Sequence, residues 1–277
     1  MTVNDKKTLI GFAAFALFIW LRNMSWVDSA EDTLAILVTI PLFIWLAEPW
    51  SFLKTSKPLS KGKIALSVLC FMLGLVSNLT VLLGIGWTIA LWTWLSSRVD
   101  PSMLPNLRKL LILPIMAFPW IALDAEPIGW WFRLTGANTA AWFFTAANLP
   151  VLQEGTMLFI NDVPISIEPS CSGLNTLQSM LISGSISAFI LLGHSALYWI
   201  NLPFLAVLAW ITNTVRIIAI GSSALIVSPE FARDKFHDFG GWLVIVFMFA
   251  LCWGFFSFQA SRFAPLPPPP KPSQQAG

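Results

Sequence analysis

Three short stretches of this chain carry side chains able to do covalent chemistry. Glu168-Pro169-Ser170-Cys171-Ser172-Gly173 sets a thiol where a polar connection enters an apolar run. Asn213-Thr214-Val215-Arg216 and Phe236-His237-Asp238-Phe239-Gly240 supply a guanidinium, an amide and an imidazole. A thiol attacks a carbonyl as its thiolate, and an ordinary cysteine is mostly protonated at neutral pH. Three features would lower the Cys171 value. The apolar run after Gly173 puts Cys171 at a helix amino terminus, where backbone dipoles favour an anion. Arg216 supplies fixed positive charge, and His237 can take the proton. A drop of roughly 1.5 units corresponds to about 2 kcal/mol.

Arg216 is the strongest of these signals. An arginine within a long apolar segment costs about 2.5–3.5 kcal/mol on insertion scales, so it faces a partner or an aqueous cavity. Asn213 lies three residues earlier on the same helical face, a second donor for a developing oxyanion or a substrate carboxylate. His237 opens the last apolar run, and imidazole exchanges protons near neutral pH as an acid/base must. Asp238, adjacent to it, cannot face it on a helix; Glu168 or Asn213 can orient it instead. Each residue has a plainer reading. Cys171 can be a small buried residue, Arg216 can snorkel to headgroups, and His237 and His194 can be solvated. Glu168 can be a loop charge or a helix-entry cap. The grouping of all three stretches on one membrane face favours chemistry.

The elements that must position these residues are apolar. With 56% hydrophobic and 11% charged residues, the 277-residue chain is outside the range of soluble domains. The expected fold is an all-α polytopic integral membrane protein with about eight transmembrane helices. The runs lie near 8–21, 34–47, 64–79, 81–97, 110–123, 174–192, 197–217 and 241–258. Prolines 41, 114, 119 and 203 are tolerable where neighbouring helices satisfy the freed carbonyls. Residues 1–123 would form the first five helices and 124–173 an extracytoplasmic interfacial helix and hairpin leading to Cys171. Residues 174–260 would form the last three helices, and 261–277 a disordered proline-rich cytoplasmic tail.

Lysine and arginine set the orientation. With the amino terminus inside, Lys6, Lys7, Lys54, Lys57, Lys61, Lys63, Arg98, Arg108, Lys109, Arg262 and Lys271 are cytoplasmic. Only Arg22, Arg133, Arg216, Arg233 and Lys235 are outside, as the positive-inside rule requires. Cys171, Arg216 and His237 then face outward from a cytoplasmic (inner) membrane. A ninth span at 128–149 would reverse this, but Arg133, Asn138, Thr139 and Asn148 interrupt its apolar face and predict an interfacial amphipathic helix. Residues 156–160 and 163–167 read as strands of a hairpin about an Asn161-Asp162 turn, with Pro164 confined to an edge. An irregular loop is the plainer alternative. Lys6 and Lys7 ahead of a short apolar run, with a poor cleavage site at Asp28-Ser29-Ala30, predict an uncleaved signal-anchor. Tryptophans at 20, 26, 45, 50, 92, 94, 130 and 131 suit interfacial anchoring. Cys70 and Cys252 lie deep in apolar runs as packing residues, which leaves Cys171 a free thiol.

Near-neutral charge suggests no nucleic-acid partner. Two histidines on opposite faces without ligand spacing disfavour a metal protease, and no metal or cofactor is expected.

Around these residues the chain resembles the exosortase/archaeosortase family of polytopic membrane cysteine transpeptidases. The resemblance rests on Glu-Pro-Ser-Cys-Ser-Gly around Cys171, Asn-x-x-Arg at 213–216 and Phe-His followed by glycines at 236–241, and covers roughly 120–260. It implies Cys171 as nucleophile, His237 as acid/base and Arg216 as electrostatic stabiliser, with Asn213, Glu168, Ser172 and Gly173 supporting the site or the substrate. It also implies secreted protein substrates whose carboxyl-terminal sorting tail has a short motif, an apolar helix and a basic end. The enzyme would cut at the outer face through a thioester and could pass the product to an acceptor of lipid or glycan type. The competing readings are a non-enzymatic transporter or assembly factor with Arg216 and His237 lining a polar pathway, and a membrane acyltransferase.

Overall fold

The computed structural model describes residues 3–28, 30–167, 172–228, 231 and 237–263. Glu168, Cys171, Ser29 and the tail from Pro265 lie outside the described residues, as does the side chain of His237.

Helices dominate. In chain order they are α1 (Val3–Arg22), α2 (Ala30–Leu46), α3 (Lys61–Ser77), α4 (Thr80–Arg98), α5 (Leu104–Leu110), α6 (Ile112–Met116), α7 (Trp120–Asp124) and α8 (Glu126–Ala146). A three-stranded sheet follows, then α9 (Leu174–Ser179), a π-helical turn (Met180–Gly184), α10 (Ser185–Leu192), α11 (Leu197–Ile226) and α12 (His237–Phe263). Among the described residues, four helical stretches are long and apolar enough to cross a membrane: Thr80–Arg98, Leu174–Leu192, Leu197–Ile226 and Val246–Phe263. The runs expected at 8–21, 34–47 and 64–79 are helical within α1, α2 and α3 but fall short of that mark.

The run expected at 110–123 is not one helix. It breaks into α5, α6 and α7 about Leu111 and Ala117–Pro119. Pro114 and Pro119 lack the amide donors a continuous helix needs. The broken backbone is nevertheless deep in the protein, with Leu113, Met116, Ala117, Phe118 and Ile121 all buried. Irregular backbone survives in an apolar setting only where protein covers it and satisfies its polar groups. Here the Trp20 indole donates to the Ala117 carbonyl at 2.8 Å. Below the break, Tyr198 donates its hydroxyl to the Lys109 carbonyl and Lys109 donates to the Gly193 carbonyl, which ties α5 to the start of α11. Trp20 and Trp26 therefore point inward, Trp26 donating to the Trp20 carbonyl at 3.1 Å. Of the expected anchors, Trp45, Trp130 and Trp131 remain outward.

The sheet has strands β1 (Val151–Glu154), β2 (Met157–Ile160) and β3 (Val163–Ser166) in that spatial order, all antiparallel. The expected hairpin is present as β2–β3, and Asn161 and Asp162 have φ of 51° and 63°. Two positive-φ residues make the tight turn whose twist matches paired strands. Pro164 lies on edge strand β3, opposite Phe159. Strand β1 had no comparable signal.

Among the described residues, apolar packing forms three clusters. The largest centres on α4, α6 and α7, with Leu83, Leu91, Leu113 and Phe118 buried. A second joins α8, the sheet and the far half of α11 through Ala137, Phe144, Leu158, Ile160 and Ile217. A third binds α10, the start of α11 and α12 through Leu192, Leu205, Cys252 and Phe256, so Cys252 is a packing residue.

Candidate functional site

The longest helix, α11, organises the site. Asn213 and Arg216 lie about one turn apart on one face; Asn213 is 1% exposed and Arg216 half-buried. Against Asn213 lies Gly173, the residue at the amino-terminal cap of α9, with φ +76°. A Cβ at Gly173 would stand 2.7 Å from Asn213 Cγ and 3.0 Å from its Nδ2. No other residue type fits, on space or on backbone conformation. The cysteine-bearing stretch and the Asn-x-x-Arg stretch therefore meet, although 40 residues separate Gly173 from Asn213. Gly173 is the cap itself, so Cys171 stands two residues ahead of the cap rather than in the first helical turn.

The opposite wall of this segment is α8. A Cβ at Gly129 would lie 3.1 Å from Ser172 Cβ, and buried Ser172 fills that notch. Further along, Gly136 faces Thr214 and Ile217, and the Trp210 indole donates to Thr135 Oγ1 at 2.8 Å. Gly221 packs on Phe144 and Ile160. Residue numbers rise together on α8 and α11, so the two helices run side by side in the same direction, with the sheet packed beyond them.

This packing corrects the expected polar face of the 128–149 segment. Arg133 is buried, while Trp130, Trp131, Trp142 and Phe143 are outward. Helical spacing sets Arg133 between Gly129 and Gly136, on the face turned towards the Ser172–Gly173 segment and α11. It donates to Glu126 Oε1 at 2.8 Å, and Glu126 is mostly exposed. The pattern of charges alone did not find this second guanidinium, because one arginine among aromatics reads as a solvent-facing residue. Thr176 and Gln178, buried in α9, were also missed. A glutamine inside an apolar run is the signal that marks such a position.

The last helix, α12, runs antiparallel to α11. Asn201 donates to Gln259 Oε1 at 2.7 Å, and the Phe204 and Phe255 rings stand 5.4 Å apart. From that level, α11 rises about 22 Å to Arg216 and α12 rises about 33 Å to His237, its first residue. His237 thus begins on the same end of the molecule as Arg216, about 10 Å further along the axis by this reckoning. Ser172, Gly173, Asn213 and Arg216 are gathered at one level, with His237 placed by backbone alone.

The sequence model of the transmembrane exosortases matches residues 4–254, and so includes all three stretches and the helices before them. The chain belongs to this family. As a transmembrane exosortase it is a multi-pass membrane protein, and membership supports a membrane transpeptidase/protease of the sortase-like kind. Comparison with curated proteins and with solved structures gives no match.

Proposed function

We propose that this exosortase cleaves the carboxyl-terminal sorting tail of secreted proteins at the outer membrane face, with Cys171 as nucleophile. The observation that carries the reading is the contact of Gly173 with Asn213. Two residues of chain span at most about 7 Å, so Cys171 is tethered close to Asn213 and Arg216 whatever its own conformation.

The steps follow from the groups. His237 takes the thiol proton as Cys171 Sγ attacks the scissile carbonyl carbon. The carbonyl oxygen becomes an oxyanion, held by the Arg216 guanidinium with the Asn213 amide as second donor. The peptide C–N bond breaks, His237 returns the proton to the leaving amine, and an acyl thioester remains on Cys171. Water, or an acceptor of lipid or glycan type, then attacks the thioester and restores the thiol. Outside the cell no nucleotide is at hand, and the thioester keeps the activation that transfer needs. Glu168 would orient the imidazole, and Ser172 and Gly173 shape the floor.

Helix length supports the outward orientation. At 30 residues, α11 is about 45 Å long, half as long again as a hydrocarbon core of about 30 Å. Its start is tied to Lys109, on the lysine-rich side. Arg216 then falls about 27 Å along the helix from Tyr198, near the far boundary. Helix α8 runs alongside α11 from Trp210 to Gly221, with the sheet packed beyond it, and so flanks the half of α11 that carries Arg216. In this layout residues 1–123, 124–173 and 174–260 act as scaffold, outer cover and catalytic helices around a cleft for the substrate's apolar tail.

The test is intact-mass analysis after incubation with candidate tail peptides. An acyl adduct should form on Cys171, and Cys171→Ala should insert normally yet leave a tail-bearing substrate unprocessed. Normal maturation by Cys171→Ala would end the assignment.

A further inference from the structure

Away from the site, α1, α2 and α4 line an apolar groove of about 600 Å³, half open on the side where Ala13, Leu17 and Ile44 are exposed, with Ala117 and Phe118 at its base. Its wall offers hydrocarbon only. Of its four tryptophans, Trp20 donates to Ala117, Trp50 to Ile44 and Trp87 to Phe12, all at backbone carbonyls. A cavity of 150 Å³ with such a lining accommodates one benzene ring. This one is four times larger, within the range that holds a small molecule rather than a membrane-length helix.

One end of the groove is charged. Leu9, Phe52 and Trp94 line it there, and just past them the Arg98 guanidinium pairs with Asp5 at 2.7 Å. The amides of Leu53 and Lys57 donate to the carbonyls of Arg98 and Ser97 at 2.7 and 2.9 Å, so the 53–57 loop folds over the end of α4. Exposed Lys6 and Lys7 follow Asp5 on α1, and exposed Lys54 and Lys57 lie on the loop. The opposing carboxylates are Asp5, taken up by Arg98; Asp100, which accepts from Ser102 N and Oγ at 2.9 and 2.7 Å; and exposed Glu48. The mouth is cationic at one end of the apolar groove.

We propose that this groove holds a hydrocarbon chain of an anionic membrane phospholipid, with its headgroup among Lys6, Lys7, Lys54 and Lys57. A neutral lipid would satisfy the groove but leave Lys6, Lys7 and Lys54 without the negative charge that Asp100 gives Lys57. A substrate's apolar helix, about 10–12 Å across with its side chains, would exceed a groove of this volume. The lipid site is independent of the reaction proposed above and stands or falls separately.

The protein is reconstituted in vesicles of equal phosphatidylglycerol and phosphatidylcholine, released into mild detergent and weighed by native mass spectrometry. One phospholipid should remain per chain, with phosphatidylglycerol favoured by about fivefold for each lysine in contact. Ala13→Trp fills the groove from a surface-exposed position and should abolish retention. Lys54→Gln with Lys57→Gln leaves the groove intact and should retain lipid while lowering the preference at least fivefold. Absence of retained lipid, equal retention of both lipids, full retention by Ala13→Trp, an unchanged preference in the lysine variant, or a polypeptide in the lipid's place would each overturn the proposal.

Discussion

Gly173 carries more of the site than its size suggests. Its φ of +76° costs a residue with a Cβ about 1–2 kcal/mol, and that Cβ would strike Asn213 as well. Gly173→Ala should leave the protein inserted in the membrane but slow substrate processing by about 10²-fold, since small misplacements of reacting groups cost that much. A wild-type rate would mean that this junction does not position the thiol. Arg216 makes an equally local demand. Lysine preserves the charge but has no planar fork to share between an oxyanion and a neighbour. Arg216→Lys should therefore lose about 10²-fold or more in turnover; unchanged turnover would reduce the arginine to an anchor at the membrane boundary.

Among the elements, α11 acts as the spine. Its first turns are tied to α5 and α12, its middle carries Asn213 and Arg216, and its end holds the sheet against α8. Close approach along this spine depends on small residues. Gly184 of the π-helical turn sits on Leu205, and Gly221 sits on Phe144 and Ile160, where a Cβ would come within 2.4 Å and 2.9 Å of its neighbours. Gly221→Leu should wedge α8 and the sheet off α11 at a cost of about 1–3 kcal/mol. The expected result is a lower thermal midpoint together with lower processing, because the same α8 face flanks Ser172. Loss of processing with an unchanged midpoint would point to direct contact between Gly221 and substrate.

For the whole molecule, the decisive variable is which end of the bundle faces out. The lysine-rich end gathers Asp5, Arg98, the 53–57 loop and Lys109. The other gathers Arg216, the sheet and the start of α12. An impermeant maleimide should label Cys171 in intact cells expressing a Cys70→Ala/Cys252→Ala variant, without permeabilisation. Labelling only after permeabilisation would put the thiol on the cytosolic side and dismantle the reaction scheme. The transporter reading requires paired charges along a continuous polar path. Among the described residues, the ion pairs Asp5–Arg98 and Glu126–Arg133 lie at opposite ends of the bundle.

The amino-acid sequence by itself determined the membrane class, most of the helical runs, the β2–β3 hairpin and its edge proline, and the three stretches proposed to carry the chemistry. Those properties are local: hydropathy over a window, turn residues with their own backbone preferences, and reactive side chains in short motifs. Tertiary structure alone decided that Pro114 and Pro119 break a run instead of bending it, with the Trp20 indole across the bundle satisfying the Ala117 carbonyl at the break. It also turned Arg133 inward, since the face of α8 that packs is chosen by the glycines meeting Ser172, Thr214 and Ile217, not by the polarity of α8 alone. And it brought Gly173 to Asn213: spacing along a chain carries no record of which distant helix faces will fit one another.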